Sequence, residues 1–273
     1  MTYCVGFLLE SGLVFVSDSR TNAGVDYISS YSKLHVFQPA PDRLFVLMAA
    51  GNLGTTQAVL NRIRRDLALN DAATSAAMLS AFNEGAGATA APARAVEESK
   101  DLLSARYLFE AADYVGRLSV AVQQAFSAPL QQAGASGEAS FILGGQIAGQ
   151  PHGLYLIYPQ GNAIMATPET PFLQIGESKY GKPPLDVVGH HRLSLEDAAR
   201  LCLVSEIVTR RSNLTVGPPF EIALVPADAL RVSRRLKLEK DNRQVTRSME
   251  TWARGMQETL AKLPRFQWEE DPL

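Results

Sequence analysis

Hydrophobic and polar positions alternate in short runs over the first fifty residues. Four segments rich in branched and aromatic residues are separated by turn sequences: TYCVGFLLE, LVFVSDS, KLHVFQ and RLFVLMAAG. This pattern predicts successive antiparallel strands between Thr2 and Gly51. It returns later in six further segments, ASFILGGQIA, HGLYLIYP, NAIMAT, FLQIGE, FEIALVP and LRVSRRLKL.

Helical spacing replaces this alternation elsewhere. In NLGTTQAVLNRIRRDLAL, one apolar stripe contains Ala58, Ile63 and Leu67, and the arginines at 62, 64 and 65 fall largely off it, which predicts a surface helix. The small-residue stretch EGAGATAAPA, at 84–93, predicts a loop. Three further helices are predicted, from about Ser99 to Phe126, from a Ser194–Asp197 cap to about Arg211, and from about Asp241 to Leu263.

The order of these elements is strands, two helices, strands, helix, strands, helix. Two antiparallel sheets packed face to face and covered outside by helices accommodate that order. The sequence therefore predicts an α+β fold, a four-layer αββα sandwich, as one domain over residues 1–273.

Composition excludes several classes of function. The chain is 46% hydrophobic and 20% charged, and 26 basic against 28 acidic residues give a net charge of −2, which predicts no nucleic-acid partner. The apolar runs are too short to cross a bilayer and no signal peptide precedes them, so we expect no membrane association and a cytoplasmic location. Cys4 and Cys202 are expected to be buried, and no metal or cofactor is predicted.

Thr2 is the residue whose position suggests chemistry. Removal of Met1 is expected because the next residue is small, and it leaves Thr2 with a hydroxyl and a free α-amine. An α-amine titrates near pH 7.7–8.0, so a useful share is neutral at physiological pH and can accept the hydroxyl proton. A nearby cation would hold the amine neutral and stabilise the developing alkoxide. The sequence thus predicts a terminal nucleophile beside a buried lysine or arginine.

Two charged residues lie where such a site needs them. Asp18 ends the strand that returns to Thr2, and Lys33 begins the strand in YSKLHVF. They form either an ion pair beside Thr2 or two separate strand-end charges in solvent. Gly51, at the end of VLMAAG, is either an ordinary turn residue or a backbone N–H aimed at an oxyanion.

Together these residues resemble the proteasome β-subunit superfamily of N-terminal-nucleophile hydrolases, and within it the Anbu (ancestral β-subunit) family. The resemblance is carried by MTYCVG, SDSRTNAGVD, Lys33, AAGN at 49–52 and, more loosely, QIGES at 174–178. It implies Thr2 as nucleophile, Asp18 and Lys33 as the charged pair that tunes it, and the Gly51 N–H as oxyanion donor. Ala49 would line an apolar, roomy pocket for the substrate side chain before the scissile bond.

Two positions depart from the superfamily pattern. Glu177 stands where a serine follows the glycine of an IGSG-like turn, and Ser178 comes next. The supporting Asp-x-x-Ser motif is matched by the stretch from Ser212 to Thr215, so its aspartate is absent. Low or unusual peptidase activity is therefore one expectation, with Glu177, Ser178, Ser212 and Thr215 as the supporting residues to examine.

The leading hypothesis is a threonine-type peptidase acting on peptide or amide bonds. The alternatives are a self-assembling scaffold with a vestigial site, and an amide ligase or transpeptidase with a non-protein substrate. The resemblance also implies homo-oligomeric rings, open or helical, and a C-terminal helical extension over about 240–273. The basic stretch LRVSRRLKLEKDNRQVTR is a candidate subunit contact or a solvated charged face. An ATPase partner stays unknown from the sequence.

Overall fold

A computed structural model of the chain describes residues 2–22, 28–84 and 99–270. Within these ranges the strands are β1 Tyr3–Leu9, β2 Gly12–Asp18, β3 Arg20–Asn22, β4 Ile28–Ser30, β5 Leu34–Ala40, β6 Arg43–Gly51, β7 Ala139–Ile147, β8 Gly153–Ile157, β9 Ala163–Met165, β10 Phe172–Gly176, β11 Phe220–Pro226 and β12 Arg234–Leu238. The helices are α1 Leu53–Glu84, α2 Leu108–Gln132, α3 Ser178–Val188, α4 Leu195–Ser212, α5 Arg243–Leu260 and α6 Gln267–Glu270.

The strands form two five-stranded antiparallel sheets and a small β3–β4 pair. The first sheet has the order β10-β1-β2-β11-β12 and the second β5-β6-β7-β8-β9. Every residue of β1 and β2 is buried, which explains why both are almost continuously apolar in sequence. The register of β1 sets Cys4 opposite Ser17 on β2 and Tyr3 opposite Gly176 on β10, so the start of β1 lies between these two neighbours.

Three hydrophobic clusters hold the sheets and helices together. One contains residues of both sheets, a second contains residues of β6, β7, α1 and α2, and a third contains residues of β1, β2, β11, α3 and α4. Representative members, in that order, are Phe15, Met48 and Ile142; Phe45, Val59 and Val115; and Phe7, Leu185 and Cys202. The prediction of an α+β chain that combines antiparallel sheets with helices is confirmed.

The predicted start of the second helix is wrong. The helix begins at Leu108, because Asp101 and Ser104 close a turn by capping each other's backbone N–H groups. The Arg43 guanidinium then binds the carbonyl oxygens of Leu103 and Ala105 at 2.5 and 2.8 Å, which holds this segment out of a helix.

Two other helices differ from the prediction. α3 was not predicted, since Pro183 and Pro184 lie inside it and proline normally ends a helical pattern. α1 extends to Glu84, past the predicted end near Leu69. The loop predicted at 84–93 lies, beyond Glu84, outside the described residues. By contrast, Ser194 accepts the Asp197 N–H and caps α4 as expected.

Across the described ranges, no helix combines the length and apolarity that crossing a membrane requires. The same ranges contain no cluster of three or more His, Cys, Asp or Glu side chains arranged to hold a metal ion.

Candidate active site

The start of β1 opens onto a cavity of about 460 Å³. Four of the residues singled out from the sequence line it: Thr2, Lys33, Ala49 and Gly51. They come from the residue before β1, from the residue before β5 and from the end of β6. The fold thus brings both sheets to one cavity at the position where Thr2 would become the terminus.

Asp18 and Lys33 form a buried ion pair beside this cavity. Lys33 Nζ lies 2.6 Å from Asp18 Oδ1, and the two residues are 7% and 0% exposed. This burial excludes the alternative of two strand-end charges in solvent. Lys33 Nζ also donates to the Arg20 carbonyl at 2.7 Å, so the ammonium is fixed in position by two acceptors.

Backbone groups complete the coordination of Asp18. Its Oδ1 accepts the Tyr3 N–H at 3.1 Å and its Oδ2 accepts the Gly217 N–H at 3.1 Å. Burial raises the pKa of Asp18, while the charge of Lys33 and these hydrogen bonds act in the opposite direction. We call Asp18, Lys33, Tyr3 N–H and Gly217 N–H the charged-pair network. Because it includes the N–H next to Thr2, it fixes the backbone of Thr2 relative to Lys33.

The far side of the cavity is fixed by backbone contacts as well. The Ala49 N–H donates to the Lys33 carbonyl at 3.2 Å, which places the pocket residue directly beside the lysine. Gly51 has φ +117°, and a Cβ there would lie 2.3 Å from the Glu138 carbonyl oxygen. A side chain at position 51 is therefore excluded, as expected for a backbone that must approach closely at a turn.

A second group of polar residues lies on the other side of Thr2. The Glu177 N–H donates to the Thr2 carbonyl at 2.8 Å, and the Glu177 carboxylate accepts Asn213 Nδ2 at 2.8 Å. Thr215 Oγ1 donates to Asn213 Oδ1 at 2.6 Å. We call Glu177, Asn213 and Thr215 the amide network. The hydrogen bond between Asn213 and Glu177 joins the α4–β11 loop to the β10–α3 turn.

The other two supporting residues lie apart from these contacts. Ser178 begins α3, and its carbonyl oxygen accepts Gln174 Nε2 at 3.4 Å. Ser212 is exposed at the end of α4. The residue of this stretch that contacts Glu177 is Asn213. The sequence pattern had indicated Ser212 and Thr215 instead. Only the place of Asn213 next to the Ser212 position could have suggested it.

The cavity is less apolar than expected. Ala49, Ala50, Leu53 and Leu60 give it an apolar side, but polar side chains from α1 and β5 also line it, namely His35, Thr56, Gln57, Asn61 and Arg64. Burial, and next the positive charge of Arg64, lower the pKa of His35 to about 4, so its imidazole is neutral at pH 7.

Glu206 on α4 is a buried carboxyl near the charged-pair network. It is 0% exposed, and among the described residues neither of its carboxyl oxygens has a hydrogen-bond partner. Burial raises its pKa well above the usual range, and the negative charge of Asp18 raises it further. No sequence pattern pointed to Glu206, because it lies in an ordinary helical pattern.

Comparison with solved structures gives full-length matches to Anbu proteins, among them the following three. An Anbu mutant from Hyphomicrobium sp. is 36% identical over 98% of this chain and 100% of its own, with a TM-score of 0.81. Anbu from Yersinia bercovieri is 36% identical over 97% of this chain and 99% of its own, with a TM-score of 0.79. A structure described as the helical assembly of the Anbu complex from Pseudomonas aeruginosa is 37% identical over 99% of this chain and 100% of its own, with a TM-score of 0.80.

No protein-family model matches the chain, and no curated protein matches it. The structural matches place the fold in the class of proteasome-like β-subunits, a hydrolase-type relation. At this identity and coverage, the chain belongs to the Anbu, or ancestral β-subunit, family.

Proposed function

We propose that the chain is a threonine-type peptidase, an N-terminal-nucleophile amide hydrolase that acts through Thr2 once Met1 has been removed. The observation that carries this proposal is the convergence of Thr2, Lys33 and Gly51 on one cavity, with Lys33 held by Asp18 at 2.6 Å. A hydroxyl, a fixed cation and a backbone turn at one cavity are the parts that acyl transfer needs.

The chemistry follows from these positions. Thr2 Oγ attacks the substrate carbonyl carbon, and its proton passes to the Thr2 α-amine, directly or through a water. The Lys33 ammonium favours the neutral amine and the developing negative charge, and the Gly51 N–H donates to the oxyanion. The amine then returns the proton to the leaving nitrogen, which leaves a Thr2 ester, and water hydrolyses this ester to restore the threonine.

The proposal extends to the layer architecture, the extent of the domain and self-association. We propose that the sheets and helices stack as a four-layer αββα sandwich, since the three hydrophobic clusters lie between successive pairs of such layers. Residues 1–273 would then form one β-subunit-like domain, with about 240–273 as a helical extension. Self-association is proposed from the helical assembly described for the Pseudomonas aeruginosa relative. A subunit contact that repeats from one copy to the next without closing into a ring produces a helical assembly.

The direct test is hydrolysis of fluorogenic peptides by protein whose intact mass confirms loss of Met1. Turnover is expected for the wild type, and none for Thr2→Ala. Thr2→Ser keeps a hydroxyl beside the amine and should retain part of the activity. Equal turnover by Thr2→Ala and the wild type would contradict the proposal.

A second candidate is a scaffold whose site is weakly active. It is favoured by two departures, since Glu177 and Ser212 stand in place of the serine and aspartate that the superfamily pattern supplies, and the uncharged Asn213 is the residue that contacts Glu177. This candidate predicts oligomers of unchanged size for Thr2→Ala, no measurable turnover for the wild type, and an unaltered phenotype in a Thr2→Ala strain.

A further inference from the structure

Part of the polar lining of the cavity comes from one face of α1. Gln57, Leu60, Asn61 and Arg64 are spaced three or four residues apart, so their side chains project from the same side of the helix, and all four line the cavity that contains Thr2. The apolar stripe of α1 placed Arg64 on the solvent side. The structure places it at the cavity instead, exposed at its edge.

The charges at this cavity do not cancel. Lys33 is neutralised by Asp18 at 2.6 Å. Arg64 is the other lining cation, and its guanidinium donates to the uncharged Asn61 Oδ1 at 3.3 Å. Among the lining residues that the structure describes, none is an aspartate or glutamate. The cavity therefore presents one uncompensated positive charge next to the nucleophile.

Comparison with the neighbouring Arg65 shows that the uncompensated positive charge at the cavity is specific to position 64. Arg65 follows on the same helix, but it does not line the cavity, and its guanidinium pairs with Asp66 at 2.7 Å. The two arginines share a helix and a charge, yet only Arg64 faces the substrate side with its charge free of a carboxylate among the described residues. Asn61 accepts from Arg64 through Oδ1 and keeps its amide nitrogen as a further donor on the same face.

We propose that Arg64 makes the cavity a receptor for an acidic substrate side chain, so that the enzyme favours glutamate or aspartate immediately before the scissile bond. A carboxylate entering beside Ala49 meets the guanidinium and the Asn61 amide as donors, while its methylene groups contact the apolar side formed by Ala49 and Leu60. This inference rests on the proposed peptidase function, and it replaces the expectation of a purely apolar pocket.

The first experiment compares peptides that differ only in glutamate, glutamine or leucine at that position. Because Arg64 is exposed, we expect kcat/KM for glutamate to exceed that for glutamine by about fivefold, the scale of one partly screened charge pair, and to fall with added salt. Arg64→Gln should bring the ratio of glutamate to glutamine close to one, and Arg64→Glu should invert it in favour of glutamine. Arg65→Gln removes the same charge one residue away and should leave the ratio unchanged.

A binding experiment separates this inference from the proposed function. Thr2→Ala cannot form the acyl-enzyme, so the affinities of the same peptides for it measure recognition alone. A preference for glutamate that disappears in Thr2→Ala/Arg64→Gln supports the inference, even when the wild type cleaves nothing and the peptidase proposal fails. Equal affinities for glutamate and glutamine, or no binding of any peptide at millimolar concentration, would overturn the inference, even when the wild type is an active peptidase.

Discussion

The charged-pair network and the amide network lie on opposite sides of Thr2 and are built differently. Asp18 is 0% exposed and accepts two backbone N–H groups and an ammonium. In the amide network, Glu177 is buried, but Asn213 and Thr215 are only half-buried. Side chains form the link between Glu177 and Asn213, and both the hydroxyl and the backbone N–H of Thr215 donate to Asn213 Oδ1. Half-buried links of this kind leave more freedom than a buried ion pair.

The difference indicates where the sequence is free to vary. A buried ion pair that is coordinated from several segments tolerates no loss of one partner, because the other is left as an unpaired buried charge. A half-exposed amide can be replaced with a small change in free energy. Of the two departures from the superfamily pattern, Glu177 belongs to the amide network and Ser212 is next to Asn213 in sequence, so neither falls in the charged-pair network. We infer that catalysis by Thr2 depends mainly on the charged-pair network.

Removal of the lysine should have the largest effect. Lys33→Ala leaves Asp18 as a buried unpaired charge and removes the cation beside Thr2, so we expect kcat/KM to fall by about 10²–10³-fold and unfolding free energy by about 3–5 kcal/mol. Peptide turnover measures kcat/KM, and urea unfolding measures the free energy of unfolding. Lys182→Ala, whose exposed ammonium pairs with Asp186, is the control and should change little. A loss of less than threefold for Lys33→Ala would show that the two networks matter equally.

Gly176→Ala tests the backbone where β10 meets Thr2. Gly176 has φ +84°, and a Cβ there would lie 2.0 Å from the Thr2 carbonyl oxygen, so the substitution should displace Thr2 and destabilise the fold by about 3 kcal/mol. Gly149 has φ +78° with nothing within 4 Å of its added Cβ. Gly149→Ala therefore has the φ strain without the collision, and it should cost only about 1 kcal/mol. Equal melting temperatures for the two variants would show that a Cβ at position 176 does not collide with the Thr2 carbonyl oxygen.

Asn213→Ala should have a smaller effect, confined to the amide network. It removes the donor to Glu177 and the acceptor of Thr215, so we expect a two- to tenfold fall in kcat/KM, about 1 kcal/mol. Thr215→Val removes only the hydroxyl link to Asn213, and it should lower kcat/KM less than Asn213→Ala does. Turnover of one peptide by both variants provides the comparison. Inactivation as complete as that of Lys33→Ala would reverse the ranking of the networks.

Glu206→Gln should increase stability slightly. Because the pKa of Glu206 is raised in the folded state, the stability contributed by its protonated form is complete below its unfolded pKa and is lost as pH rises through the folded one. Glutamine does not titrate, so the variant should gain about 2–4 °C in Tm at pH 8, corresponding to about 1 kcal/mol, and little at pH 4. Glu258→Gln, an exposed change on α5, should show no such trend. A lower Tm for Glu206→Gln at pH 8 would show that its carboxylate is needed ionised.

Ten of the twelve strands in the described residues were predictable because each carries its own signal, whereas the short strands β3 and β4 were not predicted. The buried runs of β1, β2 and β6 contain the branched and aromatic residues that define a strand, and turn residues bound them. The start of α2 and the existence of α3 were not predictable. The first depends on Arg43, which lies far away in sequence, and the second requires packing that tolerates two prolines.

The candidate site divides in the same way. Thr2, Asp18, Lys33 and Gly51 were found because they follow a family order along the chain. Asn213, Glu206 and Arg64 depend on which helix face or loop meets the site, and that is decided by tertiary packing. Arg64 in particular lies within a run of arginines that is indistinguishable in sequence from a solvated surface.

The most direct test of Thr2 as the nucleophile is intact-mass spectrometry after treatment with a peptide epoxyketone, a reagent that needs both the hydroxyl and the α-amine of a terminal threonine. We expect a chain that lacks Met1 and carries one adduct, mapped to Thr2, with no adduct on Thr2→Ala. Full labelling of Thr2→Ala, or peptide turnover by a chain that retains Met1, would contradict it.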